Sequence, residues 1–525
     1  MGILDWLTGA DGEIADHPFP RTDVARLHDL LAHDQPGRVD DQSARDLMLD
    51  AYADRLAPGT SIFGRQMLYH RLRGGAQADV ARVRALVDDP ALRTRLQHIC
   101  RPLRHADADI SEHVFGAPLP PAPAWPRWLW LLPLLLVASM ALAFWWPAAW
   151  IAAVVLAFGL IAVQTVWMTR ATEWDRALLP LRVLLDAHRA LGEEHARTHS
   201  PWLACFAPGA QAADRLRPAF ALPLADTVSG SREYREWFMQ ANVRRYFATR
   251  TALTTNLEAV RASLLLVAAL EADCTLAAHL AAARFCWAQP AGAGELTLTD
   301  VVHPLLEDAV PLSLALDGTG AFISGRNGTG KSTLLRTLGL NLITARAFGF
   351  CYASAACVPR LPVHTSMHSE DALEGGESLY MAELRRAREL MTLAEQGPAV
   401  FIVDEIFRGT NHLESVSAAT AVLNALARRH LVIVSSHNLT LAPLLRERLA
   451  PLCVEEDAQG RLGVRPGVLE KTNGIGLMAA YDFGADIERD ALRVHAWLTR
   501  HARGEDAGPA PALHDTAELV SRSGV

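Results

Sequence analysis

The sequence predicts two kinds of domain: an α/β domain on a mainly parallel sheet toward the C-terminus, and an all-α region carrying a two-helix transmembrane hairpin. Three observations carry this reading. Trp128 to Met168 contains no charged residue. Apolar residues recur at helical spacing on both sides of that run. From Ala321 onward, buried strand-like runs alternate with helical patterns, as a parallel sheet requires. At about 150 residues per domain, a 525-residue chain has room for roughly three domains.

The uncharged run offers only Ser139, Gln164, Thr165 and indole nitrogens as polar side-chain groups. Pro147 divides it into Trp128–Trp146 and Ala148–Met168, each about 20 residues and long enough to cross a ~30 Å hydrocarbon core. Eight of the thirteen tryptophans fall between Trp125 and Trp174, at the ends and the turn, as an interfacial belt would place them. Arg93, Arg95, Arg101, Arg104 and Arg127 precede the run, Arg170, Arg176, Arg182 and Arg189 follow it, and the turn carries no charge. The positive-inside rule then puts both ends in the cytoplasm, which makes this a multi-pass inner (cytoplasmic) membrane protein in contact with lipid through the hairpin. No signal-peptide pattern opens the chain at Met1–Ala10.

Composition excludes other classes. With 50% hydrophobic and 21% charged residues, the chain is neither disordered nor collagen-like. A net charge of -8 confines any nucleic-acid surface to a local patch. Seven cysteines without a C-x-x-C pair read as reduced thiols rather than a disulfide or zinc framework. Around the hairpin, Asp40–Ala124 and Ala177–His188 read as helix, Pro201–Ser229 as a long Pro/Ala/Gly-rich loop, and Ser231–Trp287 as one or two long helices.

The strongest local signal is Gly325-Arg326-Asn327-Gly328-Thr329-Gly330-Lys331-Ser332, a full G-x-x-x-x-G-K-S loop. Ala321-Phe322-Ile323 reads as the strand before it and Thr333–Leu342 as the helix after it. Such a P-loop lets the backbone N–H groups of Gly325, Asn327, Gly328, Thr329, Gly330, Lys331, Ser332 and Thr333 converge on the phosphates of ATP. Lys331 supplies a cation to the β and γ phosphates, and the Ser332 hydroxyl is a ligand for Mg2+. Ala399–Glu405 is an apolar run ending in two carboxylates, so Asp404 is the second magnesium ligand and Glu405 the general base toward water. His430–Ser436 is a further buried strand, ending at His437, from which an imidazole can sense the γ phosphate.

Asp404-Glu405-Ile406-Phe407-Arg408-Gly409-Thr410 resembles the D-E-I-G-R-G-T of the MutS-type mismatch-repair ATPases, within the ABC/SMC-like group. Asp371-Ala372-Leu373-Glu374-Gly375-Gly376-Glu377-Ser378 stands where that family has D-D-L-A-S-G-R-S. Lys331 and Ser378 are about 47 positions apart, too close for the helical subdomain of a transporter ABC domain. Val302–Glu307 is similar to the family's R-H-P entry, and Thr472–Ala480 to its closing segment. Upstream, Thr60–Leu68 with Leu72 resembles the start of the MutS core or lever domain, and Leu264–Trp287 its returning helix. Departures are Arg326, Gly328 and Thr329 in the P-loop, and aliphatic Val310 and Val464 where relatives place groups against adenine. No Phe-x-Glu occurs in the sequence, so mismatch reading is not expected.

Hydropathy marks a hairpin at 127–170 and composition a disordered tail at 504–525, and the resemblance implies the rest of the organisation: N-terminal segment 1–39, first half of the core or lever 40–126, second half 171–295 and ATPase domain 296–503. It also implies a homodimer in which Ser378 of one subunit completes the other's nucleotide site, with Glu405, His437, Lys331 and Ser378 catalytic. Two functions follow. One is a membrane-anchored ATPase in DNA repair, touching DNA through arginines such as Arg244, Arg245 and Arg250. The other is an ATP-driven switch on a membrane or protein partner without a DNA role.

Overall fold

The computed structural model describes residues 17–32, 35–221, 231–367, 379–456, 462–469, 474–476, 478 and 481–502. The chain divides into two compact units. One is helical, residues 1–285 with 343–350, and the other is a mixed α/β unit, residues 286–342 with 351–525.

In the α/β unit a six-stranded sheet runs in the order Leu462–Pro466, Leu449–Glu456, Gly320–Gly325, Leu431–Ser435, Val400–Asp404, Val363–Ser366. Neighbours are parallel except the first pair. The strands Gly320–Gly325, Val400–Asp404 and Leu431–Ser435 are buried almost throughout because a parallel sheet is covered on both faces. On one side Phe322, Phe401 and Val434 pack with Leu390, Leu423 and Leu426 from the helices Leu379–Ala394 and His412–Ala427. A four-stranded sheet of Gln289–Pro290, Ala355–Val358, Glu295–Val301 and Leu312–Asp317 completes the unit.

The helical unit brings together segments some 200 residues apart. Helix Ile62–Leu72 lies against helix Leu257–Ala282, the two segments whose sequences resemble the lever's start and return. Glu271, buried, accepts bonds from Ser61 N at 2.9 Å, Ser61 Oγ at 2.5 Å and Gly64 N at 3.1 Å. Glycine is required at position 64, since a Cβ there would stand 2.4 Å from Thr60 Cγ2 and 2.9 Å from Glu271 Oε2. Burial pushes the Glu271 carboxyl up to about 6 in spite of those bonds. Two residues along, the fully buried Asp273 takes Arg71 at 2.6 Å and Arg82 at 2.5 Å.

Several expectations change. Pro201–Phe220 is helical: 3-10 turns at Pro201–Phe206 and Arg217–Phe220 flank the helix Ala207–Leu216. Each proline sits in a first turn, where its missing N–H costs nothing, so the prolines start helices rather than break one. The remainder of the expected loop, 222–230, lies outside the described residues. The stretch expected as one or two long helices is three, Ser231–Trp237, Ala241–Thr255 and Leu257–Ala282, broken at Gln240 (φ 52°) and Asn256. In the uncharged run the first helix covers only Leu131–Leu142, while the second, Ala149–Thr198, continues for 50 residues, about 75 Å. Trp125–Leu142, Ala149–Thr198 and Leu257–Ala282 are long and apolar enough to cross a membrane, although the last is mostly buried in its unit.

The arginines expected to face DNA are only partly available. Arg245 pairs with Asp175 at 2.5 Å, and Arg250 is buried against Tyr246 Oη at 3.0 Å and the Pro120 carbonyl at 2.6 Å. Of the three, Arg244 alone is exposed. Helical spacing places these arginines on a helix without saying that its partners lie inside.

Removing Asp273 would strand two buried guanidinium groups. Asp273→Ala is expected to destabilise the helical unit by about 3–5 kcal/mol. Calorimetry checks this as a lowered transition for that unit with the other transition unmoved.

Candidate functional site

Strand Gly320–Gly325 passes through the loop 326–330 into helix Lys331–Phe348, so the G-x-x-x-x-G-K-S segment occupies a strand-to-helix turn. Gly328 and Gly330 adopt left-handed φ of 81° and 78°, which their lack of a Cβ permits. A Cβ on Gly325 would stand 2.9 Å from the Val454 carbonyl oxygen, whereas nothing lies within 4 Å of one on Gly328, which borders open space. The Thr329 hydroxyl donates to Arg326 O at 2.9 Å, and Leu334 N to Gly330 O at 2.8 Å, closing the loop and starting the helix. A Cβ on Gly474 would lie 4.0 Å from Asn327 Nδ2, so the closing segment approaches this loop. Lys331 Nζ is buried and donates to Gly325 O at 3.0 Å and Arg326 O at 2.9 Å. Burial lowers its ammonium below the ordinary lysine value, against the opposing pull of Glu405 and Asp404.

The carboxylates arrive from the neighbouring strands. Ser435 lies opposite Ile323 on one side and opposite Asp404 on the other. The Ser435 hydroxyl donates to Asp404 Oδ1. Glu405 N donates to Ser435 O at 3.0 Å, and Glu405 then turns left-handed (φ 53°). Its Oε1 lies 2.8 Å from His437 Nε2 and its Oε2 is 2.5 Å from Arg408 Nη1. Burial pushes the Glu405 carboxyl up, but the His437 hydrogen bond and the charges of Arg408, His437 and Lys331 outweigh it and hold it below the ordinary carboxylate value.

Lys331, Asp404, Glu405 and His437 therefore meet at one edge of the sheet, beyond the carboxyl ends of three parallel strands. Ser332 is half-buried and Thr333 exposed at the start of the helix. Ser378 and the rest of Asp371–Ser378 lie outside the described residues. His303 of the expected entry motif is buried, its Nδ1 accepting from Leu305 N at 3.2 Å, so it shapes a turn. Arg408 and Ser435 are functional contacts that sequence reasoning gave no role. Arg408 has a signal, three positions after Glu405 within the quoted motif; a serine ending a buried strand has none.

Phe407 stands where the quoted family pattern has glycine, and it keeps a left-handed φ of 59°. That conformation costs a bulky residue about 1–3 kcal/mol. Its ring is almost fully buried in the α/β core and meets Tyr380 edge-on at 6.1 Å between centroids. The following helix is closed by Asn411, which accepts from Glu414 N at 3.0 Å, while Thr410 Oγ1 donates to Glu414 Oε2 at 2.6 Å.

Glycine loop, buried ammonium and paired carboxylates thus stand together at the edge of a parallel sheet, an arrangement able to hold an anion through the loop and the ammonium. Comparison with known proteins adds a likeness over this region. Residues 321–461 match the family model "MutS domain V". The DNA mismatch repair protein MutS of Thermus aquaticus is 30% identical over 256 residues, which cover 46% of this chain and 31% of that protein. Endonuclease MutS2 of Thermus thermophilus is 32% identical over 200 residues, 37% of this chain and 24% of that protein. DNA mismatch repair protein MutS 1 of Haloarcula marismortui is 31% identical over 186 residues, 33% and 20% respectively. Residues 321–461 are thus similar to MutS domain V, and the chain spans about a third or less of the length of these relatives.

Phe407→Ala would leave a cavity under the Glu405–Arg408 turn. A loss of about 3–5 kcal/mol from the α/β unit is expected. The unfolding transition of that unit measures it, and a Phe407→Leu variant, which fills most of the space, should recover most of the loss.

Proposed function

We propose that this chain is a membrane-anchored MutS-type ATPase. The P-loop Gly325–Ser332 binds magnesium ATP, Glu405 is the general base for hydrolysis, and cycles of nucleotide binding move the helical unit as a lever. The observation that carries the reading is the convergence of Lys331, Asp404, Glu405 and His437 at one strand edge. The donor set fits the ligand: a glycine loop open to solvent at Gly328, an ammonium for phosphate, and a hydroxyl and a carboxylate for a hard cation. Ser332 and Asp404 would hold Mg2+, which supplies positive charge to the phosphates. Lys331 now caps its own loop carbonyls and is placed to exchange them for phosphate oxygens. Ser435 orients Asp404, and His437 and Arg408 keep Glu405 ionised and aimed. Ser378 from a second subunit would complete the site in a homodimer.

The hairpin anchors the chain in the inner membrane with both ends on the cytoplasmic side. The relatives' names place them in DNA mismatch repair, and a DNA-linked role is proposed for this chain on that basis. A second reading, a switch acting on a membrane or protein partner without DNA, is favoured by one observation: Arg245 and Arg250 are engaged inside the helical unit. ATPase assays on detergent-purified protein with and without duplex, branched and single-stranded DNA decide between them. Stimulation that falls steeply with salt selects the first reading, and no stimulation selects the second.

Glu405→Gln should cut turnover by on the order of 10² to 10⁴ while nucleotide binding persists. Full turnover in that variant removes Glu405 from the mechanism. His437, Arg408 and Lys331 all lower the Glu405 carboxyl, so the active, ionised form persists into mild acid and is lost only below the ordinary carboxylate range. Arg408→Ala removes one of those charges and is expected to move the acid limb of the kcat–pH profile to higher pH.

A further inference from the structure

The uncharged hairpin does not stand alone. Its first arm is helical from Trp125 to Leu142, 18 residues, of which Leu131–Leu142 is regular α-helix, about 18 Å. The second helix is longer, but another part of the chain meets it partway. Gln240 Nε2 donates to Leu160 O at 3.2 Å and to Trp237 O at 3.0 Å, which places the backbone after helix Ser231–Trp237 beside Leu160. From there helix Ala241–Thr255 runs down the same face: Tyr246 and Phe247 meet Trp167, and Thr249 takes the Trp174 indole N–H at 2.8 Å.

This bracing segment carries charge. Glu233 and Arg244 are exposed and Arg245 lies within 4.0 Å of Glu236, all on elements that begin or end near the Leu160 level. Exposed Tyr234, Trp237 and Met239 accompany them. Charges mixed with Trp and Tyr belong at a headgroup boundary rather than in hydrocarbon. Above Leu160 the second helix has 12 residues, Ala149–Leu160, about 18 Å, the same as the α-helical part of the first arm, Leu131–Leu142.

The tip is built for an apolar setting. Phe144 and Trp145 are 86% and 82% exposed, with Trp146, Trp150 and Ile151 beside them. The turn's backbone is largely satisfied from within: Ala143, Phe144, Trp145, Trp146, Ala149, Trp150 and Ile151 all donate to carbonyls of the hairpin. The Ser139 hydroxyl donates to Ala149 O at 2.8 Å, tying the two arms together. A turn in water would not need this, whereas a turn in hydrocarbon does.

We infer that the hairpin enters a single leaflet of a phospholipid bilayer, with Phe144-Trp145-Trp146 at its deepest point and the Tyr234–Met239 segment resting at the headgroups as a collar. This deepens the membrane reading given above and rests on it. The partner surface is the acyl-chain layer of one leaflet, some 15 Å deep, which arms of about 18 Å fill.

Full-length protein with vesicles of phosphatidylethanolamine and phosphatidylglycerol tests this. An environment-sensitive fluorophore on Trp145→Cys, in a background with Cys205, Cys286 and Cys357 changed to Ser, should be quenched most strongly by nitroxides deep in the acyl chains, and not by an impermeant quencher trapped in the lumen. A charge at that depth is costly, so Trp145→Asp is expected to weaken partition into the vesicles by on the order of a hundredfold. Lumenal quenching, or a Trp145→Asp protein that floats with vesicles as well as the parent, would overturn the single-leaflet insertion and leave the membrane anchor standing. So would tips that pair with a second copy while lipid probes fail to reach them. A parent protein that does not float at all would remove the anchor as well.

Discussion

The register of three parallel strands is the constraint from which the site follows. Ser435 stands between Ile323 and Asp404, so the carboxylate strand and the strand before His437 end level with Ile323, two residues before the glycine-loop strand ends at Gly325. A slip of one residue between the Val400–Asp404 and Leu431–Ser435 strands would turn Asp404 toward the opposite face of the sheet and remove it from Ser435. Burial holds the register, because every residue of the Leu431–Ser435 strand is enclosed. Beyond the last paired residue the chain needs no side-chain pattern, only a sharp change of direction, and the left-handed Glu405 supplies it. The strain at Glu405 and Phe407 thus lies where the carboxylate must leave the sheet, offset by the buried Phe407 ring.

What could be read in the sequence was local. The glycine loop, the apolar run before Asp404 and the strand before His437 each announce themselves within about ten residues, because backbone geometry and burial act at that range. Long-range partners did not. Nothing near Arg245 reveals Asp175, seventy positions earlier, and nothing near Glu405 says that Arg408 will fold back on it rather than face a ligand. Pro201–Phe220 misled for a different reason: a proline in a first turn and a proline in a loop look the same until the neighbouring helix is known.

The helical unit shows how an insertion can be carried without disturbing the host. Ser61, Gly64 and Arg71 on one helix and Glu271 and Asp273 on another form contacts that only these residues satisfy. The bonds are charged and buried, and their geometry rejects a shifted pairing more sharply than apolar packing would, since a slip would leave Asp273 or the guanidinium groups unpaired. Between the two helices the chain is free to depart by some 180 residues and return.

The 50-residue helix makes the departure mechanically consequential. Its first 20 residues belong to the hairpin, while the part beyond Pro180 is buried in the helical unit at Leu181, Leu184 and Leu191, so one helix joins the two. A pair of complete spans would resist such tilting, because polar groups at both ends would have to cross or dent the hydrocarbon. On the proposed single-leaflet insertion, the apolar tip would move among acyl chains at little cost and the charged segment would follow the headgroups. Under the proposed function, a shallow anchor is therefore the kind that permits a lever to move: it keeps the ATPase at the membrane without holding the rod at a fixed angle.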